Sequence, residues 1–258
     1  MDLNLKDKVV LISGSAHGLG KAISESFLRE GASVVISDID QSRLDKTIEE
    51  FSAGHSNLRI GSFCGDLTSS GDIQNCISYT KSRFGKIDIC VANLGSGRGL
   101  SGWNIPDDEW HRMMSLNFDG ARVLTNSILP SMIKSGGGAI VFISSIAGLE
   151  TIGAPVQYSV AKAALIAYSK NISRLVGNNN IRVNTVCPGN IYFEDGTWDF
   201  KMRENRQAVL EMIEKSVPLN RFASPEEISD LVLFLSSERS AFITGSCIIA
   251  DGGQTISI

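Results

Sequence analysis

The chain has 258 residues, of which 43% are hydrophobic and 20% charged, with a formal net charge of −4. That is ordinary globular composition, long enough for one large α/β domain with a sizeable core, and it excludes a nucleic-acid surface built on basic excess. No apolar run approaches the ~20 residues needed to span a bilayer, and the N-terminus MDLNLKDKVVLISG has no apolar stretch behind a basic one, so no signal peptide and no membrane contact are expected. The expected compartment is cytoplasmic.

Short β-rich runs alternate with longer helical ones. Residues 8–13 (KVVLIS) read as a buried strand, and residues 18–30, with apolar side chains at Leu19, Ala22, Ile23 and Phe27, as a helix stopped by Gly31. Strand 33–37, charged amphipathic helix 41–51, strand 59–64, helix 69–84 and strand 87–92 follow. Residues 106–134 read as helical in two segments around Asn117, then come strand 139–143, long helix 156–176 and strand 181–187. The stretch from 189 to about 201 reads as irregular, followed by a polar helical segment, together a substrate lid at about 190–216. Ser224 caps a helix at 225–236 with Pro225 in its first position, and 246–250 is a last strand. Nearly continuous Val/Ile strands between helices predict a single-domain, Rossmann-like, doubly wound parallel sheet of about seven strands flanked by helices.

Five scattered cysteines without a CxxC pair read as small buried hydrophobes in a reducing compartment, and His17, His55 and His111 lack ligand spacing, so no metal site is expected.

The first strand-to-helix junction is Ser13-Gly14-Ser15-Ala16-His17-Gly18-Leu19-Gly20. Gly14, Gly18 and Gly20 permit a tight turn, let backbone N–H groups approach a pyrophosphate, and lead into the positive end of a helix. The spacing is GxxxGxG, not GxGxxG, and a phosphate-binding P-loop does not fit; a turn chosen for packing alone gives the same string. Asp38 ends the second strand about 20 residues on, where a carboxylate accepts ribose hydroxyls and repels a 2′-phosphate. This favours NAD over NADP, although a strand-end turn residue reads the same way. Asp66 and Asn93 follow the third and fourth strands, at the sheet edge where ligands gather.

Tyr158 and Lys162, four apart, share one helix face. A phenol with a pKa of about 10 is a poor base at neutral pH unless an ammonium or an oxidised nicotinamide lowers it. Ser145, just past the fifth strand, can hydrogen-bond a substrate oxygen. YxxxK alone is weak, since a surface tyrosine and a solvated lysine match it equally; the order of glycine turn, acidic strand end, Ser and Tyr-x-x-x-Lys carries the weight.

That order resembles the short-chain dehydrogenases/reductases over essentially the whole chain. The family's TGxxxGxG appears as SGSAHGLG, so the resemblance assigns Gly14, Ser15, His17, Gly18, Leu19 and Gly20 to the cofactor. Its adenine-contacting Asp matches Asp66, followed by Leu67, and its NNAG appears as Ala92-Asn93-Leu94-Gly95, which departs at two positions. Its helix asparagine matches Asn117 and its serine, thirteen residues before the tyrosine, matches Ser145; Tyr158 and Lys162 fall in YSVAK. Pro188-Gly189 follow the sixth strand, with Ile191 facing the nicotinamide carboxamide; Tyr192-Phe193 stand before the threonine often found there. The resemblance implies that Tyr158 removes a hydroxyl proton as hydride passes to nicotinamide. Ser145 then holds the oxygen, and Lys162 lowers the tyrosine pKa, binds the nicotinamide ribose and relays protons through Asn117 and water.

Substrate choice is expected in residues 94–104 and after Gly189. Trp103, Tyr192, Phe193 and Trp198 form apolar walls there or pack the lid, and Arg98 either pairs with a substrate carboxylate or phosphate or is a solvated loop arginine. The expected substrate is a small-molecule secondary alcohol or ketone: a sugar, polyol or hydroxy acid. The competing readings are a 3-oxoacyl thioester reductase of the acyl-carrier-protein type using NADPH, and a non-catalytic nucleotide-sensing module. The resemblance also implies a homotetramer assembled through the long helices and the apolar C-terminal segment.

Overall fold

The computed structural model describes residues 2–54 and 58–257; His55 lies outside them. Seven parallel strands form one sheet in the order β3-β2-β1-β4-β5-β6-β7. They are β1 (Val9–Ile12), β2 (Ser33–Asp38), β3 (Ile60–Cys64), β4 (Ile89–Ala92), β5 (Gly138–Ile143), β6 (Ile181–Pro188) and β7 (Cys247–Ala250). The helices between them are α1 (Gly18–Arg29), α2 (Gln41–Gly54), α3 (Ser70–Phe84), α4 (Asp107–Met114), α5 (Gly120–Lys134), α6 (Val156–Val176), α7 (Thr197–Ser216) and α8 (Pro225–Ser236). The expected doubly wound α/β architecture is the one observed.

Alternation of side chains along the central strands divides the core into two layers. Val10, Ile12, Val34, Ile36, Val91 and Val141 face α1 and α8, where Ile23, Phe27 and Val232 meet them. Leu11, Val35, Cys90, Ile140 and Phe142 face α3, α5 and α6. A hydroxyl pair, Ser26 Oγ to Ser229 Oγ at 2.9 Å, joins α1 to α8 inside the first layer. The order reverses at β1, which pairs with both β2 and β4, so a crevice opens at the carboxyl ends of these strands.

Local sequence sets the element ends. Gly31 at φ +77° follows α1, and α8 begins with a capping box in which Ser224 Oγ accepts from Glu227 N–H (3.4 Å) and Glu227 Oε2 accepts from Ser224 N–H (2.9 Å). Three expectations change. The helical stretch before β5 is continuous, with a π-helical turn at Ser115–Asp119 carrying Asn117, in place of two separate segments. α7 starts at Thr197, inside the stretch expected to be irregular, because the Asp199 carboxylate accepts from Asp195 N–H (2.9 Å) and closes its first turn. It breaks at Asn205 (φ −152°), whose Oδ1 accepts from Ala208 N–H at 3.1 Å and caps the second half. Cys64 and Cys247 are exposed, unlike buried Cys76, Cys90 and Cys187, because they lie at the ends of the two edge strands.

Phe27 is fully buried between α1 and the sheet. Phe27→Ala is expected to remove about 3–5 kcal/mol of stability, read as a lower urea midpoint with an unchanged slope.

Candidate active site

One cleft of about 730 Å³ runs along the carboxyl edge of the sheet, within the size range of small-molecule and cofactor sites. At one end is the glycine turn. Gly14 and Gly18 have φ of +62° and +53°. At Gly20 no side chain fits, since a Cβ would stand 2.3 Å from the Gly14 carbonyl oxygen and 2.6 Å from Asn93 Nδ2. Asn93 buttresses the turn by donating to the carbonyls of Ser13 (3.1 Å) and Gly14 (2.7 Å), while Ser13 Oγ accepts from the N–H groups of Asn93 and Leu94. The NNAG-like segment therefore supports the turn through its asparagine despite its two departures.

Of the residues expected at a cofactor, Gly14, His17, Leu19, Gly20, Asp38, Asn93 and Gly95 line this cleft, as do Pro188, Gly189 and Ile191. Ser15 does not: it is fully buried, with Oγ donating to the Ile12 carbonyl (2.8 Å) and accepting from Ser37 N–H (2.8 Å), so it ties β1 to β2. Gly18 is covered by the Phe193 ring, since a Cβ on Gly18 would stand 2.5 Å from that ring. The same ring meets His17 edge-on at 5.4 Å. Asp66 accepts from Thr68 N–H and hydroxyl, and Leu67 is buried; neither is at the cleft wall.

At the other end stand Ser145, Tyr158 and Lys162. Lys162 is buried and its Nζ donates to the Ile143 carbonyl at 2.9 Å. Ser144 Oγ donates to the Lys162 carbonyl at 2.9 Å, fixing α6 to the end of β5. Asn117 sits just behind the cleft wall. Its Oδ1 accepts from Ser96 N–H (2.9 Å) and its Nδ2 donates to the carbonyls of Met113 and Ser96. Gly95 lies between the two groups: a Cβ there would be 2.7 Å from Asn117 Oδ1 and 2.9 Å from Lys162 Nζ. The π-helical turn thus delivers Asn117 to the lysine. Ser145 Oγ accepts from Ala147 N–H (3.1 Å) at the cleft wall.

Electrostatics depart from the simplest expectation. Burial holds the Tyr158 phenol above the usual tyrosine value, and the nearby Ser145 hydroxyl offsets this only in part. The Lys162 Nζ stands 5.8 Å from the phenol ring centroid and spends its hydrogen bond on Ile143. Burial also pulls the lysine down to about 8, so near that pH its own charge is incomplete.

Two of the four expected aromatic walls lie elsewhere. Trp103 is 90% exposed on the loop after β4, and Tyr192 turns away because its hydroxyl donates to Asp199 Oδ1 (2.8 Å). Phe193 stands at the glycine turn, and Trp198 does line the cleft. Ile152 and Ala154, before α6, and Phe200 and Lys201, in α7, also line the cleft; no motif marks them, since only the tertiary fold brings the two segments together.

A lysine with a depressed pKa binds its proton less tightly folded than unfolded. Stability attributable to Lys162 is therefore expected to rise with pH between about 8 and 10.5. Over that window the stability difference between the natural chain and Lys162→Met should change by about 3 kcal/mol, measured by urea unfolding at each pH.

A family model described as enoyl-(acyl carrier protein) reductase matches residues 14–255. The chain is 32% identical over 254 residues to the 3-oxoacyl-(acyl-carrier-protein) reductase FabG of Thermotoga maritima, covering 98% of this chain and 100% of that one. It is 32% identical to the NAD-dependent glycerol dehydrogenase of Listeria innocua, covering 99% and 96%. The crystal structure of L-sorbose reductase from Gluconobacter frateurii, complexed with NADPH and L-sorbose, superposes with a TM-score of 0.94 at 31% identity over the full length of both chains. The chain belongs to the short-chain dehydrogenase/reductase family, oxidoreductases that bind a nicotinamide cofactor and act on alcohol and carbonyl groups.

Proposed function

We propose that this enzyme uses NAD to interconvert a secondary alcohol and ketone in a sugar, polyol or hydroxy acid, with Tyr158 as acid/base. The observation that carries the reading is the convergence of Ser145, Tyr158, Lys162 and, behind Gly95, Asn117 at the far end of the cleft that begins at the glycine turn.

The residues present fit a dinucleotide. The side-chain-free surface at Gly14 and Gly20, at the N-terminus of α1, suits a pyrophosphate. Asp38 at the end of β2 suits ribose hydroxyls, with Gly95, Pro188, Gly189 and Ile191 toward the nicotinamide. When bound, nicotinamide supplies the hydride acceptor and a positive charge beside the phenol. Tyr158 takes the carbinol proton in oxidation and returns it in reduction, while Ser145 Oγ hydrogen-bonds the reacting oxygen. Lys162, fixed on Ile143, holds the positive end of the site, and Asn117, bonded through Ser96, orders the path by which the proton leaves. The segment from Asn190 through α7 acts as the lid, its start pinned where Tyr192 N–H donates to the Ala223 carbonyl (3.0 Å).

NAD is favoured over NADP because Asp38 would face a 2′-phosphate with like charge, while Arg43, also at the cleft, is paired with Asp40 at 3.4 Å. Exposed apolar residues on α6 (Val160, Leu175) and near β7 (Phe242, Ile249) support self-association through those faces as a homotetramer, which sedimentation would detect. Among the described residues no helix is long and apolar enough to cross a membrane.

The direct test is a panel of sugars, polyols and hydroxy acids assayed for oxidation with NAD and NADP, and of ketoses and a 3-oxoacyl thioester assayed for reduction with NADH and NADPH. The expected result is a higher kcat/KM with NAD, lowered relative to NADP by at least about tenfold in Asp38→Ala. Preference for NADPH and the thioester would establish the acyl reductase reading, and tight NAD binding with no turnover a nucleotide sensor. Tyr158→Phe should cut kcat by roughly 10²–10⁴ while NAD affinity by calorimetry stays unchanged.

A further inference from the structure

Two cations in the substrate half of the cleft are held in place without a carboxylate. Gly97 flanks the catalytic phenol, a Cβ there standing 3.7 Å from Tyr158 Cζ. The next residue, Arg98, is fixed at both main-chain ends: its N–H donates to Ser96 Oγ (3.2 Å), and its carbonyl accepts from Arg112 Nη2 (3.0 Å), itself bound to Glu109. The Arg98 guanidinium reaches across to the lid, donates to the Asp195 carbonyl at 2.7 Å, and lies 4.1 Å from the Phe200 ring centroid. One turn of α7 brings Lys201 to the same wall, its Nζ 4.4 Å from the Trp198 ring centroid.

Neither cation has a carboxylate oxygen within 4.0 Å among the described residues, although acidic residues outnumber basic ones by 28 to 24. Of the nearby carboxylates, Asp195 (3.2 Å) and Asp199 (2.6 Å) are both taken by Arg203, and Glu204 lines an adjoining chamber with Lys201 but lies more than 4.0 Å from its ammonium. Stacking on an aromatic face restricts each cation and leaves its remaining N–H groups for another acceptor. Beyond Trp198 and Lys201 a second chamber of about 400 Å³ adjoins the cleft, so a substrate longer than three carbons has room.

We infer that Arg98 and Lys201 form an anion subsite, so that the substrate is an alcohol or ketone carrying a carboxylate or phosphate away from the reacting carbon. The inference deepens the dehydrogenase reading and rests on it for the position of the reacting carbon. With one Nη2 N–H held by the Asp195 carbonyl, the Arg98 guanidinium keeps further N–H groups for an anion, and the Lys201 ammonium on the same cleft wall adds charge that suits either one.

The test titrates sorbitol, gluconate and sorbitol 6-phosphate, and then malonate and inorganic phosphate, into the full chain saturated with NADH, by calorimetry. At least one six-carbon anion is expected to bind about tenfold or more tighter than sorbitol, with the advantage shrinking as NaCl rises from about 0.05 to 0.5 M. In the Arg98→Gln/Lys201→Gln double variant that advantage should fall below about threefold, with sorbitol unaffected. Which anion binds tighter distinguishes carboxylate from phosphate. Absence of any anion preference, absence of binding by the anions included, overturns the inference. So does a double variant that keeps the preference, or one that weakens sorbitol equally, which would make Arg98 a lid latch. Anion preference without turnover of any alcohol would leave the subsite standing and defeat the catalytic reading.

Discussion

The hydrogen bond from the Lys162 ammonium to the Ile143 carbonyl is the constraint on which the tyrosine end of the cleft depends. It places a charge inside the protein, where burial makes that charge costly and brings the lysine to about 8. A surface lysine would avoid that cost and could not stand under the half-buried phenol at the cleft wall. The same residue is clamped through its own carbonyl by Ser144, so strand end, serine loop and helix move as one piece. With Gly95 bare between Lys162 and Asn117, the charge also faces the buried side chain of the π-helical turn.

The rest of the fold serves to bring that piece opposite the glycine turn. Parallel strands put every carboxyl end on one edge, and the reversal of order at β1 leaves a crevice there. The turn is shaped from both sides: by the missing side chains of Gly14 and Gly20 and by Asn93 pulling on the Ser13 and Gly14 carbonyls. Residues 193–200 cover a third side, with Phe193 over the turn and Trp198 and Phe200 at the other end, where Arg98 of the loop after β4 meets the Phe200 ring. Charge is thus distributed along the cleft, with Asp38 at the end of the glycine turn and the Arg98 and Lys201 cations toward the other end.

Much of this was legible in the sequence because it rests on short-range rules. Val/Ile runs gave the strands, the 3.6-residue period gave α1 and α6, and Ser224-Pro225 marked the start of α8. The glycines, Tyr158 and Lys162 were visible because fixed spacings bring them to one cleft. What stayed hidden depends on tertiary contact. Ser15 sits inside the glycine motif yet bonds β1 to β2, which spacing cannot separate from ligand contact. Tyr192 turns from the cleft because of Asp199, seven residues on. The π-helical turn at Asn117 breaks no periodicity strongly enough to be seen, and the stacking of Arg98 on Phe200 joins residues about a hundred positions apart.

The central claim is that a phenol made a poor acid by burial becomes a usable base once NAD is bound beside Lys162. Tyrosine labelled with ¹³C at Cζ, with the Tyr158 resonance assigned by its loss in Tyr158→Phe, reports the phenol's ionisation directly by NMR. The expected midpoint lies above the free-tyrosine value of about 10 in the empty protein, with a marked fall on adding NAD and a smaller fall in Lys162→Met. A midpoint that NAD leaves in place, or that falls equally without the lysine, would contradict it.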